Sequence, residues 1–280
     1  MPPGPAPARP PSRSNDDSTR GIIDVAAGLE RFALQRFEPS PELTWAVHRY
    51  WSVAWDLPAG ETHDQRVVPH VAVHLVFERG AANLEVISRS DFVRHLVGRS
   101  HVFGVKFRPA SFRPFLDHPV ATIAGRRMPA APILGPEVDD LAAELEAGSA
   151  PGSGDRGADA VRVDAYLRSL GTGPLPQTER VNDIIDLVEA DRSITRVDQL
   201  AATLGTTPRQ LQRLFADHVG QGPKWVIGRF RLLDAVDAAD GDEPVRWADL
   251  AADLGYSDQA HLVRTFNRHV GVPPDTYARR

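Results

Sequence analysis

The feature that most constrains this chain is an internal repeat near its C-terminus. Leu200-Ala201-Ala202-Thr203-Leu204-Gly205 returns as Leu250-Ala251-Ala252-Asp253-Leu254-Gly255. Farther on, Arg213, Phe215, His218, Val219, Gly220 and Pro223 return as Arg264, Phe266, His269, Val270, Gly271 and Pro274. The offset is 50 residues in the first block and 51 in the second, so one residue is inserted between the glycine and the arginine. A unit that recurs in this way is one supersecondary element used twice.

Each copy holds the parts of a helix-turn-helix. A short helix carries Leu-Ala-Ala on its packed face, where alanine lets a second helix approach closely. Gly205 or Gly255 then ends it, since glycine accepts the left-handed conformation without steric cost. Thr207 or Ser257 follows and is placed to cap the next helix. That helix turns Leu211, Leu214 and Phe215 (or Leu262 and Phe266) inward. Outward it presents Arg209, Gln210, Gln212 and Arg213 in the first copy, and Gln259, His261 and Arg264 in the second. Arginine can donate two bonds to guanine, and glutamine can pair with adenine in the major groove. One such face could be merely solvated, but two with the same glycine, cap and arginine argue for double-stranded DNA.

Local charge agrees. Between Leu200 and Arg231 the basic residues are Arg209, Arg213, Lys224, Arg229 and Arg231, against Asp217 as the one acid. This first unit is expected to attract phosphate. Between Leu232 and Leu254 seven acids (Asp234, Asp237, Asp240, Asp242, Glu243, Asp249 and Asp253) face one base, Arg246. That acidic stretch should face away from DNA.

These motifs resemble the DNA-binding domain of the AraC/XylS family of bacterial transcription regulators. The resemblance rests on Leu211-Gln212-Arg213-Leu214-Phe215, Gly220, Pro223, Arg231-Leu232 and Ala235. It rests most on Leu250-Ala251-Ala252-Asp253-Leu254-Gly255-Tyr256-Ser257-Asp258-Gln259 with Arg264-Thr265-Phe266, Gly271, Pro274 and Tyr277. It covers about 100 residues. It implies seven helices, one of them a long connector over roughly Pro223 to Ala239, with two recognition helices in successive major-groove segments. By position the base-facing residues are Arg209, Gln212 and Arg213, then Gln259, His261 and Arg264, with Thr207, Gln210, Lys224 and Ser257 completing the DNA-binding set. Ala260 and Val263 depart from the polar pattern and offer only apolar contact. Residues 177–280 hold 13 Lys+Arg and 16 Asp+Glu, so affinity should be modest and strongly limited by salt.

The rest of the chain reads as an α+β multidomain protein. Residues 1–20, Pro-rich and then polar, suit a disordered tail and lack a signal peptide's apolar segment. Residues 21–146 form a mainly-β domain, 147–178 a linker with a short helix, and 179–280 the all-α DNA-binding domain. Trp45, Val47, Trp51, Val53 and Trp55 fit one face of a strand at period two. Arg66 to Phe77 and Val102 to Phe107 suggest two more strands, with a turn at Glu78-Arg79-Gly80. In the linker, Val163, Tyr166, Leu167 and Leu170 make a helical stripe too short to stand alone in water, expected to pack on the chain's own β-domain. Few contacts are expected to cross between the two domains.

Trp51, Pro69-His70, Leu75-Val76-Phe77, Gly104 to Pro109 and Phe112 to Phe115 resemble the cupin-like first domains found in part of the family. A cupin-like barrel there would sense a small-molecule effector or mediate a homodimer. His70 and His74, placed on one strand face, could join His63, Asp64 and Glu61 around a metal. Arg66, Lys106 and Arg108 could equally hold an acidic small molecule, Lys106 and Arg108 sharing a strand face, or be plain surface charges, the commoner case. The leading expectation is a cytoplasmic regulator with no cofactor, meeting RNA polymerase if it is an activator. An alternative is a cupin-type metalloenzyme fused to the DNA-binding domain. The chain has no cysteine. That excludes disulfides, thiolate metal sites and the cysteine-dependent alkyl transfer seen in some proteins with such a module. No run approaches the length of apolar sequence a membrane helix needs.

Overall fold

A computed structural model describes residues 19–87, 92–148, 156–241 and 243–279. The tail before Thr19, read as disordered from sequence, and residues 149–155 of the linker lie outside the described residues. After helix α1 (Val25–Leu29) come β1 (Phe32–Phe37), β2 (Val47–Asp56), β3 (Thr62–Val67), β4 (His74–Glu78) and β5 (Ala81–Glu85). Next are β6 (Phe92–Val97), β7 (Arg99–Phe107) and β8 (Arg127–Pro129). Six strands form one antiparallel sheet in the order β1-β2-β7-β4-β5-β8, and β3 pairs with β6 alone.

The domain is mainly β, as its aromatic and β-branched content implies, but the expected barrel does not close. The chain leaves the small sheet for the large one at Gly98, whose φ of 56° glycine adopts freely. The stretch from Arg66 to Phe77 is not one strand, since Val68 to Val73 part β3 from β4. Pro69, which has no N–H to give a ladder, lies in that break. The turn at Arg79-Gly80 is as read: both residues have positive φ (52° and 70°), the two-residue form that suits a hairpin's twist.

A register shift between Val47 and Arg49 corrects the reading of β2. One extra residue moves side chains to the opposite face. Val47 and Tyr50 therefore point into the main core with Leu75, Phe103 and Phe107. Trp51, Val53 and Trp55 face the other side with Phe32 and Leu96, while Trp45 precedes the strand and stacks on Phe115.

Helices α2 (Ala131–Leu134), α3 (Glu137–Ala147) and α4 (Gly157–Ser169) follow. Through Leu134, Val138, Leu145, Val163 and Leu167 they close the core side of the large sheet. The stripe on α4 thus packs on its own β-domain. Polar contacts fix the helix there: Tyr166 donates to the Leu134 carbonyl at 2.7 Å, and Asp164 accepts from Ser40 N at 2.8 Å and Tyr50 Oη at 2.9 Å.

The remaining described residues form seven helices: α5 (Pro176–Ala190), α6 (Val197–Thr203), α7 (Pro208–His218), α8 (Pro223–Asp240), α9 (Trp247–Asp253), α10 (Gln259–Val270) and α11 (Pro274–Tyr277). The long α8 touches α5, α6, α7, α10 and α11 and is buried on nearly every side. Phe215 and Phe266 are fully buried, each contributing about 1.5–3 kcal/mol by leaving water.

The expectation of few contacts between domains is not met. Ile23, Val68, Val71, Ile87 and Ala110 of the first domain belong to the same apolar cluster as the C-terminal helices. Asn182 on α5 accepts from Ala110 N at 3.0 Å and donates to Ser111 Oγ at 2.9 Å. Arg20, read from sequence as the end of the tail, bridges Glu189 at 2.6 Å and Asp234 and Asp237 at 2.9 Å.

Candidate nucleic-acid interface

The two helix-turn-helix units close their turns identically. Gly205 has φ 60° and Gly255 φ 73°. Thr206 N donates to the Ala201 carbonyl, and Tyr256 N to the Ala251 carbonyl, each at 2.9 Å. This is the left-handed glycine cap that satisfies the last carbonyls of a helix.

The starts of the recognition helices differ. At α7, Thr207 Oγ1 accepts from Gln210 N at 3.3 Å, and Gln210 Oε1 accepts from Thr207 N at 3.0 Å, a reciprocal capping box. The Thr207 and Gln210 side chains therefore hold the helix start. At α10 the cap is not Ser257, as the repeat suggests, but Asp258, which accepts from His261 N at 2.7 Å. The one-residue insertion lies here: three residues separate Gly255 from the first residue of α10, where two separate Gly205 from that of α7. Ser257 Oγ instead meets the Asp258 carboxylate and His261 Nδ1, both at 3.2 Å. The bond from His261 N holds the Asp258 carboxyl below the usual range.

Beyond these starts, α7 buries Leu211 and Phe215 and leaves Arg209, Gln212 and Arg213 exposed. Helix α10 buries Leu262 and Phe266 and exposes Gln259, Ala260, His261 and Arg264, with Val263 half-buried. Lys224 is exposed in the first turn of α8. Two arginines counted from sequence toward a phosphate surface are internal. Arg229 is buried with its guanidinium 4.9 Å from the Trp225 ring. Arg231 is buried, bonded to Asp234 and to the carbonyls of Val188 and Asp191. Part of the acidic stretch is taken up within the chain too: Asp234 is buried and Asp237 half-buried, both paired with Arg20 of the first domain.

The first domain contains a cavity of about 400 Å³ between the face of β1, β2, β7 and β4 and the β3–β6 ribbon. Of the residues proposed from sequence for a ligand, His70, His74 and Lys106 line it. Arg66 and Arg108 do not. Arg66 packs on Gly271 of the C-terminal domain, and Arg108, one residue past β7, pairs with Asp186 at 3.3 Å. His70 lies outside any strand, yet its ring comes to 6.2 Å from that of His74. Burial, then the charge of Lys106, drives His74 down to about 3 and His70 well below its ordinary value. His63, Asp64 and Glu61 turn to Gln65, His95 and Arg31. Among the described residues no three His, Asp or Glu side chains gather as a metal set.

Sequence reasoning missed Arg20, Asp258 and Asn182. Asp258 had a signal, an acidic residue directly before the first helical position. Arg20 and Asn182 had none, because their partners are distant in sequence.

Residues 200–280 match the family model described as a helix-turn-helix domain, and residues 35–129 match that of a domain of unknown function. An HTH-type transcriptional regulator of Mycobacterium tuberculosis is 32% identical over 82 residues, 29% of this chain and 31% of that protein. The chain thus spans about a third of the length of that relative. ToxT of Vibrio cholerae is 12% identical, with 89% of this chain and 98% of ToxT covered at a TM-score of 0.36. A ToxT structure with bound unsaturated fatty acid is 11% identical, covering 89% and 95% of the two chains at a TM-score of 0.38. Likeness that loose carries no argument about this chain. The C-terminal domain is a helix-turn-helix domain of the AraC type. No helix among the described residues is long and apolar enough to cross a membrane.

Proposed function

We propose that this chain is a sequence-specific transcription regulator that binds double-stranded DNA and whose first domain receives a small-molecule effector. One observation carries the reading. Helices α7 and α10 follow identical glycine turns, and each sets exposed Arg, Gln or His residues on the face opposite a buried Leu/Phe back. Arg209, Gln212 and Arg213 read one major-groove segment, and Gln259, His261 and Arg264 the next. Thr207, Ser257 and Lys224, exposed at helix starts, suit phosphate contacts. Gln210 braces the first helix through its cap. Two unlike units in one chain read an asymmetric site.

Effector control is supported by Arg20. It lines the cavity, its carbonyl lies 2.9 Å from His70 Nε2, and its guanidinium is bridged to α5 and α8. Work on DNA places such a regulator in the bacterial cytoplasm, and an activator would also meet RNA polymerase. A homodimer would need a surface other than the α4 stripe, which is covered within the chain. Genome-wide crosslinking of the tagged protein identifies the site, and gel shifts on it test the readout. Arg213→Ala and Arg264→Ala should each weaken binding by roughly 1–3 kcal/mol with unchanged circular dichroism. Wild-type affinity in both would falsify the placement of the recognition helices.

A further inference from the structure

The strand register gives the cavity a direction. On its sheet face Phe32 stands opposite Trp55, Leu34 opposite Val53, and Val53 opposite Val102. One step along, Arg36 stands opposite Trp51, and Trp51 opposite Gly104. Gly104 is required there: any Cβ would strike the Trp51 ring, which lies over it. One step farther, Arg49 stands opposite Lys106, which has His74 on its other side and then Glu85. The sheet face is apolar at the Trp55 end, where Arg94 of β6 lies over the indole with its charge paired to Glu78, and cationic at the Arg49 end. Six residues of strand separate the two, roughly 20 Å at about 3.3 Å per residue. Among the described residues lining the cavity, Glu85 is the one acid, and Arg127 stands beside it.

We propose that the cavity binds an amphipathic organic acid, with its apolar body along Phe32, Leu34, Trp51, Val53 and Trp55 and its anionic head at Arg49 and Lys106. This rests on the effector reading above. A charge enclosed by apolar walls interacts far more strongly than one in water, so the cationic end discriminates ligands by sign. The low proton affinity of His70 and His74 fits the same positive field, with Lys106 a named cause after burial. A neutral polyol would bring no charge to the cationic end. An apolar molecule lacking an acid would gain the walls but nothing from the cations.

The test uses the full chain and straight-chain carboxylates from hexanoate to tetradecanoate, with the matched primary alcohols and amines. Binding is read by calorimetry and by fluorescence, since Trp51 and Trp55 line the cavity. At least one carboxylate should bind saturably and about tenfold or more tighter than its alcohol, with the amine weaker still. Lys106→Met should erase most of that preference while alcohol binding persists, and Lys106→Arg should keep it. Val53→Trp, which fills the cavity, should abolish binding of both. Equal affinity for acid and alcohol, or no binding by any carboxylate to a folded protein, overturns the proposal. Gel shifts with and without the tightest acid separate it from its premise. Saturable acid binding that leaves DNA affinity unchanged retains the site and removes the effector role, whereas loss of both removes both.

Discussion

In the first helix-turn-helix unit the turn glycine, Gly205, faces open space, whereas in the second Gly255 is pressed against Thr195. Thr195 sits in the loop between α5 and α6, on the approach to the first unit. A Cβ on Gly255 would fall 2.8 Å from Thr195 Oγ1 and 2.9 Å from Cγ2, too close for any real contact. The same glycine, required in both copies for its backbone conformation, does a second task in one of them. It lets the two units touch, and so helps fix how far apart the recognition helices stand.

That difference sets the largest expected effect. Gly205→Ala should cost about 1 kcal/mol, the penalty of placing a side chain in the left-handed region. Gly255→Ala adds overpacking against a residue anchored by its Cβ, for a total of about 2–4 kcal/mol. Urea melts of the two variants measure the gap. Gel shifts should also show Gly255→Ala losing more DNA affinity than Gly205→Ala, because the spacing of α7 and α10 is disturbed. Equal losses in both measurements would mean that Thr195 yields and that the units are not locked there.

The helix starts give the next effect. Thr207→Ala removes one half of a capping box whose other half, Gln210 on Thr207 N, survives, so about 0.5–1 kcal/mol should be lost. Asp258 caps α10 without such a reciprocal bond from its own side chain's partner, and its charge adds to the favourable field at the helix N-terminus. Asp258→Ala should therefore lower the melting temperature more than Thr207→Ala. The Asp258 pKa is depressed from 3.8 in the folded protein. Its contribution is thus complete above that unfolded value and fades as pH falls through the folded one. Melts at pH 7 and pH 3 should show the two variants' deficits converging at the acid end.

How much of this was legible in the sequence follows from the range of the forces involved. The turns, the buried Leu and Phe backs and the exposed Arg209, Arg213 and Arg264 were readable because each depends on neighbours within about one turn of chain. The insertion in the repeat was visible as a shifted offset, but not which residue it turned into the cap. Arg229 and Arg231 were misread because a basic side chain near an exposed helix looks the same whether its partner is phosphate, Trp225 or Asp234. The broken Arg66–Phe77 stretch and the bulge in β2 were lost in short apolar runs, where periodicity is weak. Arg66 and Arg108, offered for a ligand, bind the two domains together instead, and that interface joins residues far apart in sequence. The polarity of the cavity was hidden for a similar reason, since it exists only once β1, β2, β7 and β4 are in register.

The smallest expected effect concerns how each unit is held against the first domain. The first unit is braced at the C-terminal end of α7. There Gly220 packs on Val120 and Ala124, and Arg113 Nε bridges Asp217 at 2.9 Å while its Nη1 donates to the Leu116 carbonyl. The second unit is tied instead through Tyr277, whose hydroxyl accepts from Asp24 N at 3.2 Å, and through Arg66 beside Gly271. The Arg113–Asp217 pair is partly exposed, with side chains 18% and 38% accessible, so its Coulomb energy is screened and its worth is about 0.5 kcal/mol. Melting will barely register Arg113→Ala. Local opening should register it, because the pair joins α7 to a neighbouring domain rather than to its own helix. Hydrogen exchange should therefore quicken across Pro208–His218 and stay unchanged across Gln259–Val270. Tyr277→Phe should do the reverse. If either variant loosened both helices equally, the units would open as one body and the separate bracing of the first would carry no energetic meaning.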